Sequence, residues 1–202
     1  MTLEWDEIRR WIALFSIITG PGMVLFWVPF HGLGSLWKRT GSFFAYVVSF
    51  GAYVSVASFA WLQRDTLLSV DLGHNLVTTI LGATLIVGGF RLRRSWARKL
   101  PVQGLLGLAE VDPESYPVAL QVEGAYARVR HPRYLDLSIS LLGQALLSNY
   151  AAAYVAFLIV AVLLPLVILL EERELQQRYG APYSAYRDTV PAIIPVWPWF
   201  RS

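Results

Sequence analysis

The sequence predicts an all-α integral membrane protein of about five transmembrane helices, ending in a helical hairpin and carrying a cytoplasmic cap. Three observations lead there. Hydrophobic residues make up 55% of the 202 residues and charged residues only 15%, where a soluble domain has roughly 25% charged. Mean hydropathy is +0.48. The few charges gather between long uncharged stretches, as expected where an ionised side chain at the bilayer centre costs about 3 kcal/mol. This composition excludes disorder, collagen and a nucleic-acid-binding arm, and a cysteine count of 0 excludes disulfides, thiolate zinc sites and a cysteine nucleophile.

The uncharged stretches 11–37, 40–63 and 72–90 each suit the roughly 20 residues that cross the hydrocarbon core. They predict helices at about 11–30, 42–62 and 73–90. Glu4, Asp6 and Glu7 precede the first, and no small-x-small cleavage pattern follows it, so it is not a cleaved signal peptide. Pro21, between Gly20 and Gly22, lacks the N–H that would bond one turn back and predicts a kink. The fourth stretch, 137–170, has 34 residues and as one helix would run about 51 Å at 1.5 Å per residue. That is too long for one crossing. Ser148, Asn149 and Tyr150 supply a turn, giving a tight hairpin of helices at about 134–147 and 151–172. The chain reads as a single membrane domain over 1–202, with polar pieces in the loop 91–133 and the tail 173–202.

Orientation follows from Lys and Arg. With five crossings, 3 fall on the side of the N-terminal tail and 14 on the other. The positive-inside rule then places the N-terminus outside, and the C-terminus and both polar pieces in the cytoplasm.

Several features have ordinary explanations. The run Arg91, Arg93, Arg94, Arg98 and Lys99 is topology-setting charge snorkelling to the headgroups. Trp11, Trp37, Trp61 and Trp96 stand near helix ends, where an aromatic belt belongs. His31 and His74 have no His or carboxylate at metal-ligand spacing, so no metal is expected. Gly51 and Ser55 form a small-xxx-small pair suited to helix packing. Neither GxGxxG nor GxxxxGK[ST] is present, so a nucleotide-like cofactor would be held in another way.

The chemistry concentrates at the two ends of the hairpin. Before it stands LQVEGAYARVRHPRYLD, residues 120–136. Its start alternates apolar and polar residues, which predicts an extended strand turning at Gly124. Arg130, His131, Pro132, Arg133 and Tyr134 then open a helix, with Pro132 suited to a first turn. Free N–H groups, the helix dipole and the cations could attract a carboxylate, or the segment could be a capped, snorkelling helix start. At the far end Glu171 and Glu172 close a long apolar helix, where carboxylates oppose the dipole and need a compensating cation. Water, Arg173 or Arg128 could equally satisfy them. Successive helical residues differ by about 100° in direction, so only one of the pair can aim into a given pocket. A hairpin returns both ends to one membrane face, so His131 and Glu171 should meet and suit a zwitterionic ligand.

At these residues the chain resembles the superfamily of isoprenylcysteine carboxyl methyltransferases and phospholipid N-methyltransferases. The resemblance rests on GAYARVRHPRYLD followed by EERELQQRYGAPYSAYRDTVPAIIP and covers residues 120–195. It implies S-adenosylmethionine at the cytoplasmic membrane surface, held by Leu120, Gln121, Arg130, His131, Pro132, Arg133, Tyr134, Glu171 and Glu172, with Tyr126 nearer the acceptor. It implies methyl transfer to a lipophilic acceptor, a lipid amine or an isoprenoid-type molecule, entering from the bilayer. Three positions depart: Asp136 stands where the motif ends in glycine, Tyr179 replaces phenylalanine, and Val167 replaces an arginine that grips a substrate carboxylate. The last argues against a prenylcysteine carboxylate. Two other readings remain: an NADPH-dependent reductase of the sterol-reductase type, and a membrane lipid-binding protein without catalysis.

Overall fold

The computed structural model describes residues 2–194, and the described chain is helical with no strand. In order come α1 (Thr2–Gly32), α2 (Gly34–Thr40), α3 (Ser42–Leu62), α4 (Arg64–Leu67), α5 (Leu76–Ala97), α6 (Val102–Leu106), α7 (Leu108–Val111), a 3₁₀ turn (Gly124–Ala127), α8 (Pro132–Ser148), α9 (Ala151–Tyr179) and α10 (Ala181–Thr189). Among the described residues, four helices are long and apolar enough to cross a membrane: Glu4–Gly32 of α1, and α3, α5 and α9. Their large apolar side chains stand outward, with Phe43 71%, Leu76 65% and Val162 76% exposed. Lipid makes such exposure favourable, whereas water would make it a liability.

The hairpin is α8 and α9. The 17 residues of α8 fall short of the other spans, because it is the central helix: it packs against α5, α1 and α9 and presents little surface to lipid. Asn149 makes the turn, adopting φ 55° at the end of α8, a left-handed conformation that asparagine tolerates better than most residues. Its backbone and that of Ala151 bond the 70–72 segment, and its side chain donates to the carbonyl of Gly73 at 2.9 Å. Nearby, Arg9 is 2% exposed. It donates to the carbonyl of Ser148 at 2.9 Å, pairs with Asp6 and Asp71, and lies over the Tyr150 ring. The N-terminal helix is thereby fastened to the hairpin turn.

Close approach depends on glycine. A Cβ at Gly82 of α5 would fall 2.7 Å from the carbonyl oxygen of Gly143 in α8, and one at Gly143 would fall 3.0 Å from that of Gly82. The pair lets two backbones touch, as small residues do inside membranes. The Gly51 and Ser55 pair plays no such part; both face outward and a Cβ at Gly51 would meet nothing.

Helix ends differ from those expected. α1 begins at Thr2 and continues through Pro21, α5 runs on to Ala97, and α9 runs on to Tyr179, beyond the acidic pair. Charge ends the uncharged span but not the hydrogen-bonded helix, because long basic side chains reach water from the last turns. The loop therefore starts at residue 98. Residues 120–123 form no strand; no neighbouring strand edge offers pairing, and an isolated strand is not stable. The turn at Gly124 is present, with φ +65°. Pro195 and Arg201, used in the motif and the charge count, lie outside the described residues.

Candidate functional site

The hairpin brings its basic entrance and acidic exit together. His131 Nε2 lies 3.1 Å from Glu172 Oε1, and Nδ1 lies 3.5 Å from Glu171 Oε2. Arg130 donates to Glu172 Oε1 through Nε at 2.9 Å and through a terminal nitrogen at 2.6 Å, and also bonds the carbonyls of Arg187 and Val190. The backbone N–H groups of Arg130 and His131 donate to Pro191 and Ala192. The tail beyond α10 thus closes over this knot.

Arg130 and Glu172 are consequently occupied with each other. Glu172 does not line the cleft beside it, whereas Glu171 does. Helical geometry turns Glu171 toward the cleft and Glu172 toward the basic cluster.

The cleft lies between the open end of the hairpin, the 100–121 segment and α10. Leu120, Gln121, Tyr126, Arg130, His131, Pro132, Arg133, Tyr134 and Glu171 all line it. Sequence reasoning missed Glu110, Arg178, Tyr183 and Tyr186, which line it too. Glu110 stands alone in an apolar segment, LLGLAEV, and that isolation was the only signal it offered. The two tyrosines were visible within PYSAY but not assignable to a pocket.

Four buried polar atoms on this cleft have no hydrogen-bond partner among the described residues: Glu110 Oε2, Tyr134 Oη, Glu171 Oε2 and Tyr183 Oη. Glu110 Oε2 and Glu171 Oε2 stand within ion-pair distance of His31 and His131, but buried polar groups are nearly always hydrogen-bonded, so four such atoms around one cleft mark a place that suits a polar ligand. Electrostatics support this. Burial pulls the His131 pKa down, but the adjacent Glu171 and Glu172 more than offset it and raise it above 6.5, so the ring favours its charged form. Burial also raises the Tyr126 and Tyr183 hydroxyls, keeping them protonated donors, and lifts the Glu110 carboxyl despite His31 nearby.

His31 is not isolated. At the end of α1 its Nδ1 stands 3.0 Å from Glu174 and 3.7 Å from Glu110. One ligand atom from each of the three lies within 4.8 Å of the others, a set able to hold a cation. The loop carries Glu110 to a histidine far away in sequence, which spacing alone could not reveal. Glu174 also pairs with Arg178.

Two departures from the motif have structural answers. Asp136 is 2% exposed and accepts from Arg93 at 2.8 and 3.3 Å, from Trp96 at 3.3 Å and from Ser140 at 3.1 Å. Arg93 is therefore more than a topology-setting charge. Val167 is fully buried in the apolar core with Val24, Leu164 and Ile168.

Residues 77–182, just over half of the chain, match the family described as phospholipid methyltransferase. The protein-S-isoprenylcysteine O-methyltransferase of Schizosaccharomyces pombe is 38% identical over 80 residues, 39% of this chain and 34% of that protein. The chain thus spans about a third of that relative's length. No solved structure matches. The matched segment runs from α5 through the hairpin to the start of α10 and contains the knot of Arg130, His131 and Glu172 together with Glu171 on the cleft, and on this ground the chain belongs to the phospholipid methyltransferase family.

Proposed function

We propose that the chain is an integral-membrane methyltransferase that moves a methyl group from S-adenosylmethionine to a lipophilic acceptor delivered by the bilayer. The supporting observation is the cleft lined by four buried polar atoms without a hydrogen bond, beside His131, whose pKa the neighbouring glutamates raise against the effect of burial. The donor set fits the cofactor: Glu171 and Glu110 offer carboxylates to its cationic amino and sulfonium groups, and Tyr134 and Tyr183 offer hydroxyls. Leu120, Val118 and Leu175 supply apolar surface for the adenine.

When bound, S-adenosylmethionine supplies an electrophilic methyl carbon. The chain's own contribution is positioning, which for well-oriented partners reaches effective molarities of about 10⁵ M or more. Glu172 holds Arg130 and His131 in place, and His131 in turn faces Glu171. An amine acceptor must also lose a proton. His131 favours its charged form and Tyr126 its protonated one, so Glu110, lifted by burial toward the neutral range, is the cleft group suited to take it. The excess of Lys and Arg on one side supports a cytoplasmic cleft and C-terminus.

Calorimetric titration of the purified full-length chain with S-adenosylhomocysteine tests the reading. Saturable binding that Glu171→Ala weakens at least about ten-fold is expected; no binding, or tighter binding of NADPH, would refute it.

A further inference from the structure

Beside the cofactor cleft a second cavity opens on the side of α8, between α1 and α5. Met23, Trp27, Trp96, Leu137, Arg93 and Arg133 line it. Met23 is exposed on the outer surface of α1, within a membrane-spanning segment, so the cavity faces lipid. Arg133 lines the cofactor cleft as well and stands where the two spaces adjoin.

Every other charge here is matched. Asp136 is held by Arg93, Trp96 and Ser140, so its carboxylate is fully engaged. Arg133 is the exception. Its guanidinium lies 4.8 Å from the centre of the Trp27 ring and 6.0 Å from that of Trp96, and it makes no hydrogen bond or ion pair among the described residues. Burial opposes its charge, and Tyr134, Glu171 and Glu110 offset that from longer range. Two indole faces stabilise a cation but satisfy none of its five N–H donors. Buried donors normally find a partner, and for a cation at the edge of the hydrocarbon the fitting partner is an anion.

We propose that this lateral cavity takes the anionic head of an amphiphile, with Arg133 as the residue that selects it, its apolar tail leaving past Met23 and Leu137 into the bilayer. The proposal rests on the methyl-transfer reading only for the further statement that this amphiphile is the acceptor. Arg133 then does for an acidic head what Val167 cannot, and holds it next to the cleft of the methyl donor. A carboxylate and a phosphate monoester share the chemistry that the fork of Arg133 recognises.

The test is equilibrium binding of laurate, dodecyl phosphate, dodecylamine and dodecanol to the detergent-solubilised full-length chain, without any methyl donor. The two anions should bind at least about ten-fold more tightly than the amine and alcohol. Arg133→Leu should abolish that preference and Arg133→Lys should keep part of it. Whichever anion binds more tightly identifies the head group. Equal binding of all four, preference for the amine, or an anion preference surviving in a folded Arg133→Leu protein would overturn the proposal. A second arm adds S-adenosylmethionine and follows methylated products by mass spectrometry. Arg133-dependent anion binding without methylation of any anionic amphiphile would leave the subsite standing and remove its role as the acceptor site.

Discussion

Arg130 and Glu172, 42 positions apart, are joined by two hydrogen bonds to one carboxylate oxygen, at 2.9 and 2.6 Å. The pair closes the open end of the hairpin and, through the carbonyls of Arg187 and Val190, fixes the segment beyond α10. Both side chains are mostly buried, at 10% and 17% exposure. Removing one therefore strands the other, at a cost of about 3 kcal/mol or more. Arg130→Ala should lower the thermal midpoint in detergent sharply, and Arg130→Met with Glu172→Leu should recover part of the loss. A double variant as unstable as the sum of its parts would contradict this assignment.

Glu171 should separate binding from folding. Its Oε2 stands 3.5 Å from His131 Nδ1 without a hydrogen bond of its own, and Glu172 still faces the ring when that charge is lost. Glu171→Gln should therefore lower the thermal midpoint less than Arg130→Ala does, while affinity for S-adenosylhomocysteine falls about ten-fold. Melting curves and calorimetry on the same preparation separate the two effects.

The Gly82 and Gly143 contact predicts steric intolerance. Gly82→Val places atoms where Cβ already lies 2.7 Å from a backbone oxygen, and forced overpacking costs about 1–3 kcal/mol. Gly51→Val, whose Cβ would meet nothing, should be nearly neutral. Comparing the two variants' midpoints checks the contact without reference to activity.

Asp136 and Arg93 should show strong coupling. Arg93→Leu leaves Asp136, 2% exposed, with Trp96 and Ser140 but no cation, and should destabilise by about 3 kcal/mol or more. Asp136→Gly in the same protein should restore most of this. A thermodynamic cycle with no coupling would mean that Asp136 is neutralised in some other way.

His131 gives a pH dependence of definite sign. Its folded pKa is raised above 6.5 by Glu171 and Glu172 against the opposing effect of burial. The charged ring therefore contributes stability that is full below about pH 6.5 and is lost as pH rises through the raised value. The midpoint difference between the native chain and His131→Gln should be largest near pH 6 and shrink on the alkaline side. A difference that grows with pH would reverse the assignment.

Much was legible from spacing. An uncharged run too long for one crossing, broken by Ser148, Asn149 and Tyr150, required a hairpin, and the hairpin required His131 to meet the glutamates. Glycine and proline marks anticipated the turn at Gly124 and the start of α8. Pairing over long distances was not legible. The joining of Asp136 to Arg93, of His31 to Glu110 and Glu174, and of Arg9 to Asp71 depends on which helix faces meet, and helical periodicity specifies a face without naming the partner that covers it.

The division is physical. Residue order alone fixes that this chain dissolves in a bilayer, roughly where it crosses, and that a basic and an acidic cluster share one end, because hydration energy and helix rise are local properties of residues. Which charges pair directly is set by how the helices pack, because that depends on side-chain direction within a few ångströms. Glu172 pairs with Arg130, whereas Glu171 faces the cleft beside His131 and Arg133 lies against two indole rings.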